Sequence, residues 1–402
     1  MMPLDNIRKQ FGVELGFVIL IVRVYFKKAE SNALSDYLEK YAINWPYLNE
    51  LIYAHELRPI VYKVLSVHSI AVDTLFLLNL KSQCLYVARN NLEKLKEQIR
   101  LQALFDQSKI PTVPIKGVLL SHFLYDDFVT RETCDIDFLV YPANTSQVAI
   151  YMQAEGYESD FYLNENDEEY LVNISCERAF YKETECTRHS VEFHWQLLLP
   201  TFDVPLKVQE VFQHVERRQF VGKEIPCLNT EYTLLTMLTH HGVNDVWRTL
   251  KHVVDLTAFL EKHTEHINWP AFEEKIKKYR MHYSTQVGMR LVNDLFGTSI
   301  PALCMSRENK TMERVLQNLL RYPMLNKFKY SRENFLQHLN MRDNIVDKAR
   351  FFLNTLKLLF APTANDLRSL KLPKPLFFAY YIIKPFRLIN DHRKSKNLAL
   401  PL

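Results

Sequence analysis

Glycine is scarce in this chain, at 8 of 402 residues, about a quarter to a third of ordinary usage. No two glycines are separated by a single residue, so Gly-x-Gly occurs nowhere. That excludes the dinucleotide fingerprint, the P-loop and the kinase glycine loop together, because each needs several glycines for backbone to approach phosphate. Cysteine is also sparse and scattered: the six residues (Cys84, Cys134, Cys176, Cys186, Cys227, Cys304) form no Cys-x-x-Cys pair. A zinc knuckle is therefore not expected, and single cysteines in a reducing compartment are. No apolar run approaches the roughly 18 residues of a membrane span. The stretch Phe17–Val22 is preceded by Asp5 and Glu14 and followed by no cleavage pattern, so it reads as a core helix rather than a signal peptide. A cytoplasmic protein is the expectation.

What is present is an ordinary globular composition, 48% hydrophobic and 24% charged, over 47.6 kDa, enough for two or three domains. The net charge of +4 is unevenly spread. Residues 301–402 hold 19 Lys and Arg against 7 Asp and Glu, a local +12, while the first 300 residues sum to −8. Such a basic third suits an acidic protein partner, a nucleotide or an anionic membrane surface, and equally a solvated face that complements the acidic remainder. There is no firm nucleic-acid-binding signal.

Hydrophobic spacing divides the chain in three. Residues 1–105 read as helical: Trp45, Leu48, Leu51, Ile52 and His55 recur at three- and four-residue steps, Val61, Val64 and Leu65 continue the pattern, and a long helix is expected over Thr74–Leu104. Asn44 before Trp45-Pro46 is a helix start, and Asn268 before Trp269-Pro270 repeats it. Residues 106–228 read as a small α/β module. It holds a strand in Ile110–Ile115, a helix over Val118–Tyr125, and a strand over Asp135–Tyr141. A helix over Gln147–Glu155 follows, ending at Gly156, and then a hairpin of Cys176–Lys182 with Ser190–Trp195. Residues 229–402 read as helical again, with Val243, Val246, Trp247, Leu250, Val253 and Val254 as one apolar stripe. A Pro-marked break over Asn365–Pro375 precedes a final aromatic helix. The fold class expected is α+β and predominantly helical.

The chemistry is expected at Asp135-Ile136-Asp137. On a strand, residues i and i+2 share a face with roots about 7 Å apart. At about 5 Å and an effective dielectric of 20, two carboxylates repel by on the order of 3 kcal/mol. A divalent cation removes that cost, and Mg²⁺ held by one or two carboxylates and substrate phosphates is the usual arrangement in phosphoryl transfer. Glu192, inside the apolar strand segment Val191–Phe193, offers a third carboxylate. Lys116-Gly117 sits at a strand-to-helix junction where glycine, helix N-terminus and ammonium favour an anion, and Arg131 is placed to reach a phosphate. His194 shares the face of Glu192 and is a substrate contact or a core histidine.

His240-His241, with His252 and Asp255, lack the adjacent His-Asp pair of an HD-type hydrolase. Helix packing or an acceptor-pocket role, chiefly for His241, is the preferred reading. Lys251 reads as a solvated helix residue. Ser121 and Cys134 have no acid–base partner that would make them nucleophiles. Phe377, Phe378, Tyr380, Tyr381 and Phe386 with Lys384, Arg387, Arg393 and Lys394 read as a packed C-terminal helix, or as an interfacial amphipathic one.

The order Ile115-Lys116-Gly117, Tyr125, Arg131, Asp135-Ile136-Asp137-Phe138-Leu139-Val140, then Val191-Glu192-Phe193-His194-Trp195, resembles the uncharacterised bacterial nucleotidyltransferase family of the polymerase-β-like superfamily. The stretch with His241, Trp247 and Asp255 is similar too, as are Leu372-Pro373 and Lys384-Pro385. The resemblance implies a mixed-sheet core and two metal-binding aspartates, Asp135 and Asp137, with Glu192 as the third acid. It also implies a nucleoside triphosphate such as ATP as donor, Mg²⁺ (or Mn²⁺) as cofactor, and an acceptor of unassigned identity (a sugar, a small molecule or a protein). Lys116, Gly117 and Arg131 would then neutralise the departing pyrophosphate. The superfamily usually places Gly-Ser or Gly-Gly where this chain has Gly117-Val118, so the phosphate contact differs here. The alternative is a protein of the same fold that binds nucleotide or a partner without turnover, as a polysaccharide-assembly adaptor or one half of a defence pair.

Overall fold

The structure is a computed structural model that describes residues 1–159, 165–184, 187–301, 310–321 and 332–363, together with 366, 372, 376, 378–384 and 387. The chain is 64% helical, with a five-stranded mixed sheet and a two-stranded one, so the α+β, mainly helical expectation holds.

Local sequence accounts for the helical frame. The two Asn-Trp-Pro sites do start helices in the same way. Asn44 accepts a hydrogen bond from the Tyr47 amide (3.1 Å) ahead of helix Trp45–Ala54, and Asn268 accepts one from the Ala271 amide (3.2 Å) ahead of helix Trp269–Lys278. Each cap satisfies an amide that the first turn leaves unpaired. Helix Val13–Tyr25 is buried from Leu15 to Val24, as an all-round apolar stretch requires. The long helix Thr74–Gln107, capped by Asp73, runs from the helical frame to the sheet.

The strands are β1 (Thr112–Ile115), β2 (Ile136–Val140), β3 (Glu158–Ser159), β4 (Glu177–Glu183) and β5 (Arg188–His194), in the spatial order β1-β2-β5-β4-β3. β2 and β5 are parallel, with Asp137 level with Glu192. β1 is antiparallel to β2, and β4 is antiparallel to β3 and β5. Period-two alternation divides the sheet's faces. Ile136, Phe138, Val140, Val191 and Phe193 turn to a core shared with Leu101 and Phe105 of the long helix and with helix Thr145–Ala154. There Phe138 and Phe193 stack at 5.4 Å. Asp137, Glu192 and His194 are left on the opposite face.

Three expectations need correction. Strand β2 begins at Ile136, so Asp135 stands immediately before it, and β5 ends at His194, leaving Trp195 beyond it. Residues 243–254 do not form one helix. Helix Thr230–Met237 continues as a π-helical turn over Leu238–Asn244, breaks, and resumes as Leu250–His263. In the break Val246 and Trp247 take φ of +46° and +56°. The reason is packing: the Trp247 indole lies against Gly242 and Gly288, so close that a Cβ on Gly288 would meet it at 2.0 Å, and its N–H donates to the Ser284 carbonyl at 2.9 Å. Finally, β6 (Val215–Phe220) and β7 (Lys223–Leu228) form a hairpin that the sequence reading passed over, turning at Val221-Gly222 with both φ positive, the signature of a tight two-residue loop.

Cys84, Cys134, Cys176 and Cys227 are free thiols, and Cys186 and Cys304 lie outside the described residues. Of the expected C-terminal helix, 378–384 are helical, while Phe377, Phe386, Arg393 and Lys394, and Pro373 and Pro385 of the resemblance, lie outside the described residues. Among those described, no helix is long and apolar enough to cross a membrane.

Candidate active site

The pairing of Ile115 with Asp137 sets the end of β1 beside the aspartates. Lys116 follows at φ +58°, ψ −148° and leads into helix Gly117–Tyr125, whose first residue also has positive φ. The Lys116 backbone conformation belongs almost exclusively to glycine and costs of order 1–3 kcal/mol. It carries the ammonium to 3.2 Å from Asp137 Oδ1. A Cβ on Gly117 would lie 3.6 Å from the Asp135 carbonyl, so the helix start runs close beside the aspartate segment.

Asp137 is buried, at 1% exposure, and is bonded from two sides: Lys116 donates to Oδ1, and His194 Nε2 lies 2.8 Å from the same oxygen. Burial alone would raise its pKa. Lys116 and His194 outweigh that and hold it well below the carboxylate range. His194 is in turn bracketed by acids. Its Nδ1 is 3.0 Å from Glu177 Oε2 and its Nε2 3.6 Å from Glu192 Oε2. Despite burial and the nearby Lys116, these carboxylates push its pKa well above the usual value, and both ring nitrogens face carboxylate oxygens. Glu177 sits opposite His194 across the β4–β5 ladder. Burial raises it, and the stronger pull of His194 and Lys116 brings it down to about 2. Glu177 is a site residue that sequence reasoning missed. The signal was its place as the first residue of the strand paired with His194, legible only once the register is known.

Asp135 differs from its neighbour. No hydrogen bond or ion pair reaches its carboxylate among the described residues, and burial followed by the charges of Asp137 and Glu192 raises its pKa to about 7. This strand-end face therefore has more negative charge than its own lysine and histidine compensate.

These groups line one cavity of about 450 Å³, together with Gly117, Glu56, Arg131, Cys134, His240, His241, Lys251 and His252, a volume suited to a small-molecule site. All the site residues expected from sequence line it, and one of them, Arg131, has a partner the sequence did not reveal. Arg131, expected to reach for phosphate, has its Nε committed to Asp255 Oδ2 at 2.8 Å, while the Tyr125 hydroxyl donates to Oδ1 at 2.8 Å. Asp255 is fully buried, and a buried carboxylate left unpaired is strongly destabilising, which fixes the arginine there. Lys251, expected in solvent, is 8% exposed and ion-paired with Glu56 at the cavity wall. His241 is buried in the π-helical turn, stacked on His252 at a centroid distance of 4.4 Å. Ser121 is buried and accepts the Arg131 amide. Cys134 is exposed at the rim with its thiol pKa raised, first by desolvation, so it is no activated nucleophile.

The donor set tests whether a divalent cation fits. Asp137 and Glu192 each bring a carboxylate oxygen within 4.8 Å of the other, with a His194 nitrogen beside them, and Asp135 adds an uncompensated carboxylate. Oxygen-rich, negatively charged and on adjoining strands, the set suits a hard cation. When bound, such an ion would supply charge neutralisation to a polyphosphate and acidify a ligated hydroxyl.

A model of the family described as uncharacterised nucleotidyltransferase matches residues 41–297, a span that holds every residue of this cavity. No curated protein matches the chain significantly.

Proposed function

The chain belongs to the uncharacterised nucleotidyltransferase family, and from that premise we propose a metal-dependent transfer of a nucleoside monophosphate from a nucleoside triphosphate to a hydroxyl acceptor. The observation that supports it most is the convergence of Asp135, Asp137 and Glu192 on one sheet face, in a cavity whose other edge is the Lys116-Gly117 bend. Asp135, Asp137 and Glu192 would hold Mg²⁺ or Mn²⁺.

The residues divide the work by position. Glu192, more exposed than the buried Asp137 at 25% side-chain exposure, accepts the acceptor's proton as general base. The acceptor oxygen forms its bond to the α-phosphorus as the α–β bridging bond breaks, and pyrophosphate leaves. Lys116 and the Gly117 amide face the departing charge. His194, clamped by Glu177, keeps Asp137 ionised and oriented. Arg131 acts at one remove, as the partner of Asp255. The acceptor site would be built from the helical wall, His241 included. A reducing compartment fits the four free thiols. The proposed partner surface is the basic C-terminal third, residues 301–402, of which 302–309, 322–331 and most of 364–402 lie outside those described.

One observation favours the non-catalytic alternative: Lys116 and His194 already satisfy Asp137 without any cation. The experiment measures pyrophosphate release from each nucleoside triphosphate with Mg²⁺ and a cell extract as acceptor source. We expect release that chelator abolishes and that Asp137→Asn lowers by about 100-fold or more. Nucleotide binding without release would establish the alternative.

A further inference from the structure

The cavity has a second polar cluster, on its helical wall, that the nucleotidyl-transfer reading leaves unused. The π-helical turn Leu238–Asn244 puts His240 and His241 in adjacent positions, and the break after it swings Asp245 back toward them. One ligand atom each from His240, His241 and Asp245 lie within 4.8 Å. Asp245 Oδ2 is 3.0 Å from His240 Nδ1 and 3.5 Å from His252 Nε2. Ligands at about 2.0–2.1 Å around a tetrahedral ion stand roughly 3.4 Å apart, and the two measured separations bracket that edge. The other carboxylate oxygen, Oδ1, is held by Arg248 and by the Asn244 amide, each at 3.1 Å. That outer contact orients a ligating carboxylate.

The independent observation is His241. It is 2% exposed and lines the cavity; its Nε2 lies 3.3 Å from Asp255 Oδ2, while its Nδ1 has no hydrogen-bond partner among the described residues. His252 Nδ1 is likewise unpartnered. A buried ring nitrogen without a partner is a costly arrangement, and a metal ion relieves it.

We propose that His240, His241 and Asp245, with His252 alongside, form a second cation site for a borderline divalent transition ion such as Zn²⁺, Co²⁺ or Mn²⁺. Imidazole-rich ligation selects such ions over Mg²⁺, which prefers oxygen. The site therefore differs in chemistry from the carboxylate face, and its existence does not depend on nucleotidyl transfer.

The test uses the full chain stripped with chelator and titrated with Co²⁺ alone, followed by visible d–d absorption and calorimetry. The wild-type chain and Asp137→Asn are expected to bind Co²⁺ with the absorption of a nitrogen-ligated, low-coordinate ion. His240→Ala and the milder His240→Gln should weaken that binding by roughly 10-fold or more while keeping the circular-dichroism spectrum of the folded chain. Should either histidine variant fail to fold, the Asp137→Asn titration decides alone. Failure of Asp137→Asn to take up Co²⁺, or full-affinity uptake by His240→Gln, would assign all cation binding to the carboxylate face and overturn the proposal.

Discussion

At the scale of single residues, Lys116 joins strain to chemistry. Its backbone occupies a region suited to glycine, yet a glycine would forfeit the ammonium that bonds Asp137. The two effects separate in a pair of variants. Lys116→Ala and Lys116→Gly both remove the ion pair, but only glycine relieves the backbone, so Lys116→Gly should be more stable than Lys116→Ala by about 1–2 kcal/mol. Urea denaturation of the pair measures this, and equal midpoints would show that the bend is unstrained. The DxD pair, Glu192, Lys116 and His194 were recognisable from residue type and spacing alone. Arg131's pairing with Asp255 was not legible because the two are 124 positions apart, a separation no local pattern encodes. Asp245 was not singled out for the same reason: its meaning depends on a helix break.

At the scale of elements, the repeated Asn-Trp-Pro motif is a local instruction that the structure executes twice. Each asparagine accepts one first-turn amide and the proline follows where no amide is needed. Asn44→Ala and Asn268→Ala should each cost about 1 kcal/mol. Because the caps serve different helices, the double variant should show the sum, and thermal or chemical denaturation of the four proteins would reveal any departure. Strands β1, β2, β4 and β5 were legible to within a residue or two, since β-branched and aromatic runs bounded by polar segments allow little else. The 243–254 stripe was not. Its spacing is helical, but the indole of Trp247 gains more from the notch made by Gly242 and Gly288 than the chain gains from continuing the helix, and propensity yields to packing. The β6–β7 hairpin was passed over because its first strand, Val215–Phe220, is largely polar and exposed.

At the scale of the whole molecule, histidines sealed as neutral groups set a pH limit on stability. His55 is fully buried and its Nδ1 accepts the Leu250 amide. His338 packs near the rings of Phe202 and Phe351. Burial lowers each pKa to about 3, against about 6.5 in the unfolded chain. Below pH 6.5 the unfolded state therefore binds protons that the folded state refuses, and stability falls with pH. Between pH 7 and 5 the loss should be about 2 kcal/mol for each histidine. Denaturation at the two pH values should show it, and His338→Phe should remove one share. An unchanged pH slope in that variant would mean the histidine titrates normally in the fold.

The sequence by itself determined the mainly helical α+β class, the helix caps and the short strands. It also determined that any phosphate chemistry must proceed without a glycine-rich loop. These are matters of composition and local periodicity, which near neighbours along the chain suffice to set. Only the tertiary structure decided that Glu177 clamps His194, that Arg131 pairs with Asp255, and that the histidine turn shares a cavity with the aspartates. Each of those depends on burying a charge or a ring against a partner remote in sequence. The partner's position is fixed by sheet register and by how the helices pack, neither of which any short stretch of residues contains.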